Sequence, residues 1–178
     1  MKMNIRLAQK TDLSPIQKIV VGAFPDTENQ TIARLVASLF SENSHPPIQS
    51  FVAEIDNQII GYVSYSPIFI KSNTHMTGFI LAPLAVPIDH QGKGVGTALI
   101  NRGTEALSND GVNILLVYGD PAYYGRFGFQ PEIARLFVPP YPLKYPFGWL
   151  GMKLKEANMP QSPIKFDPVP PLHQSELW

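Results

Sequence analysis

The sequence predicts an α+β arrangement of the α/β class, with helices interleaved among the strands of a sheet built mostly from hairpins. Three observations lead there. Phe51 to Ile55 and Ile59 to Tyr65 are β-rich runs flanking Asp56-Asn57-Gln58, a hairpin pattern. The apolar run Phe79 to Val86 leads into the glycine-rich segment His90 to Gly96, and a helical pattern follows it. The elements read along the chain in the order β-α-α-β-β-β-α-β-α, with no internal repeat. The chain has 178 residues, enough for one domain with a sizeable core. That domain is expected over residues 1–155, followed by a Pro-rich C-terminal tail at 156–178.

Each element has its own reason. Asn4-Ile5-Arg6-Leu7 alternates and reads as a first strand. Ser14-Pro15 reads as an N-cap followed by proline at the first helical position. Ile16, Ile19, Val20, Ala23 and Phe24 form the apolar stripe of that helix, and Ile32, Leu35, Val36, Leu39 and Phe40 form the stripe of a second. Ser44-His45-Pro46-Pro47 is a loop. After the hairpin, Pro67-Ile68-Phe69-Ile70 suggests a further strand separated by a break. Phe79 to Val86 is the central strand, and Pro83 inside it should sit at a bulge or a gap in pairing, since proline donates nothing to a ladder. The next helix presents Val95, Ala98, Leu99, Ala106 and Leu107 to the core, and Asn109-Asp110-Gly111 stops it. Ile114 to Tyr118 is a short apolar strand. Gly119-Asp120-Pro121 then turns the chain into a short helix ending near Gly128. Phe147 to Lys155 is a last strand, and the tail from Met159 is expected to be extended or partly ordered.

Composition narrows the function. Hydrophobic residues make up 44% and charged residues 16%, a globular balance rather than a disordered one. Formal net charge is zero, so neither nucleic acid nor a membrane is expected as partner. There are no cysteines, which removes disulfides, thiolate metal sites and Cys nucleophiles within this chain. No signal peptide or apolar run of transmembrane length stands out, so a cytoplasmic location is expected. His45 and His90 lack the spaced His/Asp/Glu set that a metal needs, so no metal is expected.

His90-Gln91-Gly92-Lys93-Gly94-Val95-Gly96-Thr97 is the most informative stretch. Glycines at every second position leave room for close approach, and backbone N–H groups at a helix N-terminus can ring a phosphate. The bland reading is that the glycines only terminate a strand. The segment is not the Gly-x-Gly-x-x-Gly dinucleotide fingerprint, because its last glycine comes one residue early, and no Gly-x-x-x-x-Gly-Lys-Ser/Thr loop occurs.

Two segments together resemble a known family. Gln91-Gly92-Lys93-Gly94-Val95-Gly96 fits the Gln/Arg-x-x-Gly-x-Gly/Ala signature of the GNAT superfamily of acetyl-CoA-dependent N-acetyltransferases. Pro121-Ala122-Tyr123-Tyr124-Gly125-Arg126-Phe127-Gly128-Phe129 is similar to its second signature, a Tyr four residues before Gly-Phe. The form beginning Gly119-Asp120-Pro121 looks most like the YhbS-like acetyltransferases, and the resemblance covers roughly residues 3–155. It implies a mixed, centrally splayed sheet flanked by helices, with acetyl-CoA in the cleft between two central strands and Pro83 weakening pairing near the opening. It further implies that the backbone of Leu84, Ala85 and Val86 holds the pantetheine arm and thioester oxygen. Gln91, Gly92, Lys93, Gly94, Val95, Gly96 and Thr97 would hold the pyrophosphate, and Tyr124 would protonate the departing thiolate. Gly119-Asp120-Pro121 stands where many members carry an Asn.

Acetyl transfer from a thioester to an amine asks for positioning, an oxyanion donor and proton traffic. Positioning can supply roughly 7–11 kcal/mol, one oxyanion donor about 3–4 kcal/mol, and a general acid about 10²–10⁴-fold. The base that deprotonates the incoming amine could be Asp120, Glu54 or water. Asp120 before Pro121 also fits an N-cap, and Glu54 also fits a solvated strand face. The expected partner is a small-molecule or peptide amine, approached by Pro25 to Asn29 and the Pro-rich region after Phe137. A homodimer through Pro139 to Trp149 is compatible with the sequence. Two alternatives stand beside this reading: a non-catalytic CoA-binding module, and an acyltransferase using a longer acyl-CoA or an acyl carrier protein.

Overall fold

The computed structural model, which describes residues 2–72 and 75–178, belongs to the α/β class, with a mixed sheet flanked by helices. Its elements are β1 (Asn4–Leu7), α1 (Leu13–Ala23), α2 (Asn29–Ser41), β2 (Gln49–Ile55), β3 (Gln58–Phe69), β4 (Gly78–Ala85), α3 (Val95–Asn109), β5 (Ile114–Tyr118), α4 (Pro121–Tyr124), α5 (Pro131–Ala134), β6 (Phe137–Val138), β7 (Trp149–Lys153), β8 (Ile164–Lys165) and β9 (Asp167–Pro168). The chain divides into two units, Met1–Tyr65 with Pro83–Glu105, and Ser66–Ala82 with Ala106–Trp178. Strands β3 and β4 contribute residues to both.

In the first unit β1, β2 and β3 pair antiparallel in that order. The hairpin closes where the sequence placed it: Ile55 pairs with Gln58, and Asp56 and Asn57 both adopt positive φ, at 50° and 64°. Asp and Asn tolerate this left-handed region, and its twist suits a two-residue hairpin. One face of the hairpin buries Val52 and Tyr62 against Ile16, Ile19 and Val20 of α1 and Ala33 and Val36 of α2, with Ala85 in the same cluster. The other face receives α3. A Cβ on Gly61 would lie 2.7 Å from Val95 Cγ1 and 3.0 Å from Leu99 Cδ1, so the helix sits directly on the bare strand. Further along, Gly103 rests on the ring of fully buried Tyr65, whose hydroxyl donates to the carbonyls of Leu99 and Ile100 at 3.3 and 3.4 Å. With helices on both faces, β3 is buried without interruption from Ile60 to Tyr65. That burial explains its weak alternation.

Two expectations change. Helix α1 starts at Leu13 with Asp12 at the N-cap position, so Ser14 is not the cap. The Asp12 carboxylate takes two bonds from Arg6, at 2.7 and 3.1 Å, and one from the Gln9 N–H at 2.7 Å. The helix thus begins two residues before Pro15. Pro15 then lies in the first turn, where N–H groups have no intrahelical acceptor. The break expected at Pro67 is also absent, since β3 continues to Phe69. Pro67 falls between the last β2 pair at Tyr65 and the first β9 pair at Ile68, where a missing N–H removes no bond to either strand.

In the second unit the order is β9-β3-β4-β5-β7. Strands β4 and β5 are parallel, paired from Gly78↔Ile114 to Leu81↔Val117, and Pro83 lies two residues beyond that stretch. Strand β7 runs antiparallel to β5 and ends its pairing at Tyr118↔Trp149. The tail is extended but well packed. Strand β8 pairs parallel with β6, and β9 pairs antiparallel with β3. Phe166, Val169, Leu172 and Trp178 are buried. Trp149 stacks on Phe166 with ring centroids 6.1 Å apart and meets Trp178 edge-on at 5.8 Å. Its indole N–H donates to the carbonyls of Ala134 and Phe137 at 3.0 and 2.9 Å, so the buried nitrogen is satisfied. No described helix is long and apolar enough to cross a membrane.

Candidate active site

The first unit carries the glycine turn. Strand β4 ends at Ala85, whose side chain is buried under α1 and α2, while Leu84 and Val86 are only partly covered. A 3-10 turn at Ile88–His90 reverses the chain, closed by His90 N–H on Pro87 O at 2.8 Å and Gln91 N–H on Ile88 O at 3.1 Å. Gln91 to Gly94 are exposed. Gly92 and Gly94 have φ of 71° and 82°, a region that favours glycine, and a Cβ built on either would meet nothing within 4 Å. The absence of side chains therefore serves backbone conformation and access from outside rather than packing within the protein.

Helix α3 begins directly after this turn. The first flanking helical bond runs from the Ala98 N–H to Gly94 O at 2.9 Å. The amides of Val95, Gly96 and Thr97 belong to the first turn, whose N–H groups have no intrahelical acceptor, and they sit at the positive end of the helix dipole. Val95 is buried against Gly61 and holds this end of the helix onto β3. Gln91 has a second role that sequence reading missed. Its side-chain amide donates to Val86 O at 2.9 Å, tying the turn back to the exit of β4. A Gln five residues after Val86, just past the strand end, is the signal that could have suggested it. The arrangement suits a phosphate group: left-handed glycines, exposed amides, a helix N-terminus and the Lys93 ammonium in one short segment.

The second unit carries Tyr124. Asp120 follows β5 and caps α4, its carboxylate accepting the Ala122 N–H at 2.9 Å, with Pro121 at the first helical position. Its side chain thus performs the capping role that was one of the two readings. Tyr124 is partly buried. Its ring meets Tyr123 edge-on at 5.0 Å and Phe129 edge-on at 5.7 Å. Burial pushes its phenol well above the ordinary range, and the neighbouring Tyr123 and Asp120 push the same way. The group therefore stays protonated. Tyr123 is raised less decisively by burial, with Arg126 opposing. The Arg126 guanidinium lies 4.7 Å from the Tyr123 ring centroid and 5.5 Å from that of Phe127, and its Nε donates to the Tyr123 carbonyl. These contacts place Arg126 on aromatic faces and explain the adjacent Tyr-Tyr pair.

Glu54, the other base candidate, lies in the first unit and accepts from Arg6 Nε at 2.9 Å, with Asn4 at 3.5 Å. Arg6 thus joins Glu54 to Asp12, whose carboxyl it holds below the usual carboxylate range. Both carboxylates are engaged in holding β1, β2 and the start of α1 together. Among the described residues no group of three or more His, Asp or Glu is arranged to hold a metal ion.

Comparison with known proteins gives a consistent picture. Residues 46–131 match the acetyltransferase (GNAT) domain family. The chain is 34% identical over 139 residues to the uncharacterized N-acetyltransferase YjhQ of Escherichia coli K12, covering 77% of this chain and 75% of that protein. It is 30% identical over 128 residues to the uncharacterized N-acetyltransferase YhbS of the same strain, covering 72% and 74%. Among solved structures, the fold superimposes on a GNAT family N-acetyltransferase (YhbS) from Escherichia coli in complex with CoA, with a TM-score of 0.83 and 24% identity over 98% of this chain and 93% of that one. A GNAT family acetyltransferase from Brucella melitensis in complex with acetyl-CoA gives a TM-score of 0.72 and 27% identity, covering 94% and 95%.

Proposed function

The chain belongs to the GNAT acetyltransferase family, and on that premise we propose that it moves the acetyl group of acetyl-CoA directly onto an amine. The observation that carries the proposal is the exposed turn Gln91–Gly94, with left-handed Gly92 and Gly94 opening onto the amides at the start of α3. Related acetyltransferases of known structure hold CoA or acetyl-CoA, and a diphosphate is the part of that molecule such a turn fits.

In this reading the amides of Gly92 to Thr97 and the Lys93 ammonium hold the pyrophosphate. Gln91 keeps the turn in register with the exit of β4. Backbone groups of Leu84, Ala85 and Val86 hold the pantetheine arm, and an N–H among them faces the thioester oxygen. Acetyl-CoA supplies an acetyl group already activated as a thioester. The N–C bond forms as the C–S bond breaks. The amine gives up one proton, to water since Glu54 and Asp120 are otherwise engaged, the thiolate sulfur gains one from Tyr124, and the proton released to water restores the Tyr124 phenol. The phenol is protonated at neutral pH and so has the proton to give. No acyl-enzyme is needed. The acceptor is a small-molecule or peptide amine.

The test is release of CoA thiol from acetyl-CoA across a panel of amines, with Tyr124→Phe alongside. Release should depend on an amine, and the variant should lose about 10²–10⁴-fold in kcat with CoA affinity nearly unchanged. Tight CoA binding with no amine-dependent release would make the protein a binding module instead. Wild-type kcat in Tyr124→Phe, with chemistry rate-limiting, would remove Tyr124 from the mechanism.

A further inference from the structure

We propose that Gly119 is a positioning residue for Tyr124: its missing side chain leaves the space into which the Cε2 edge of the Tyr124 ring is seated. This inference rests on the role given to Tyr124 above and goes beyond it, to how the hydroxyl is aimed.

Gly119 directly follows β5. A Cβ built on it would overlap Tyr124 Cε2 and lie 3.0 Å from Tyr124 Cδ2. Such a clash could be relieved by moving the backbone of Gly119 or by moving the ring. The backbone is held by the adjacent segment Gly148–Trp149. Tyr118 is paired with Trp149 in the β5–β7 ladder, and the Gly119 N–H donates to Gly148 O at 2.9 Å. Retreat toward Gly148 is blocked as well, because the two chains already touch: a Cβ on Gly148 would lie 2.8 Å from Gly119 O. The Tyr118 hydroxyl accepts the Tyr145 N–H at 2.7 Å, and the Gly148 N–H donates to Tyr145 O at 2.9 Å, which fastens the opposing segment.

The ring is the movable part, and its seat fixes where the hydroxyl points. Tyr123 and Phe129 meet Tyr124 edge-on at 5.0 and 5.7 Å, while the bare Cα of Gly119 leaves room for the Cε2–Cδ2 edge of the ring. Asp120 and Pro121 then set the helix register that brings residue 124 back over residue 119. A single methyl on Gly119 therefore tilts the phenol.

The experiment is a double-mutant cycle on Gly119→Ala and Tyr124→Phe, read as kcat, with acetyl-CoA KM measured separately. Gly119→Ala should lower kcat by about 10–100-fold, the scale of a misplacement near 1 Å, and leave KM for acetyl-CoA within about twofold. In the Tyr124→Phe background the same substitution should cost less than about twofold, because the misdirected hydroxyl is already gone. Equal losses in both backgrounds, or full activity in Gly119→Ala, overturn the inference. A second readout needs no catalysis. Ultraviolet tyrosinate titration, taken as the difference from the matching Tyr124→Phe protein, should show the Tyr124 phenol ionising at lower pH in Gly119→Ala as the ring loses cover. An unshifted titration overturns the seat even if Tyr124 proves to have no catalytic role, whereas wild-type kcat in Tyr124→Phe with a shifted titration overturns only that role. If Gly119→Ala does not fold, Gly119→Ala/Tyr124→Leu should, since the clash is with the ring; failure of that pair to fold also overturns the inference.

Discussion

Gly94 separates the conformational and electrostatic parts of the proposed phosphate turn. It is exposed at φ 82°, and a Cβ there would meet no protein atom within 4 Å. Gly94→Ala and Gly94→Glu therefore share one internal penalty, the cost of a left-handed L-residue, about 1–2 kcal/mol. For a chain of 178 residues that is a fall in Tm of about 2–8 °C, the same in both variants. The two differ only outward. A carboxylate roughly 5 Å from a bound phosphate feels a repulsion of about 3 kcal/mol at an effective dielectric of about 20. Screening at an exposed loop trims this to about 1–2 kcal/mol, or about 5–30-fold in Kd. Titration calorimetry with coenzyme A should thus find Gly94→Glu weaker than Gly94→Ala by that factor at low salt. The gap should narrow as salt is added. Equal affinities, or a gap indifferent to salt, would show that no anion sits at this turn.

Two further outcomes follow from the packing and from Tyr124. Gly103→Ala puts a methyl into the ring of Tyr65, which is fully buried and hydrogen-bonded to α3. Overpacking of this kind costs about 1–3 kcal/mol, so Tm should fall by about 2–12 °C in a thermal melt, and Tyr65→Leu should restore part of it; an unchanged Tm would mean that α3 is not seated on this contact. The phenol of Tyr124 is raised above its ordinary 10.0, so its neutral form is the one that the native state favours. Its stabilising contribution is complete below pH 10 and is lost only as pH rises beyond that, toward the raised value. The kcat profile should therefore show no descending limb up to pH 10 that Tyr124→Phe removes; such a limb would mean that the phenol ionises early.

The elements that could be read in advance share a property: their signals are local. Asp56 and Asn57 close the hairpin because those two residue types accept positive φ in sequence. Asp120 caps α4 because cap and proline are adjacent. The stripes of α1 and α2 appear as buried faces because a helix returns the same side every three to four residues. Where reading failed, the deciding partner was distant. Asp12, just before α1, is gripped by Arg6 of β1, and Pro67 lies in β3 between its last pair with β2 and its first pair with β9, about a hundred residues later in the chain.

The glycine turn and the tyrosine helix are each contained within about a dozen consecutive residues, so the sequence by itself determined the family, the fold class and the identity of the candidate groups. The tail beyond Met159 had no such local pattern. Its aromatic residues became core only by meeting Trp149. The seating of α3 on Gly61 and Gly103 was likewise decided by tertiary structure alone. Each of those two glycines offers a void that another segment fills. A glycine in a sequence does not reveal whether its missing side chain serves a turn, a ligand or a neighbour's ring; only the packed chain assigns the space to one of them.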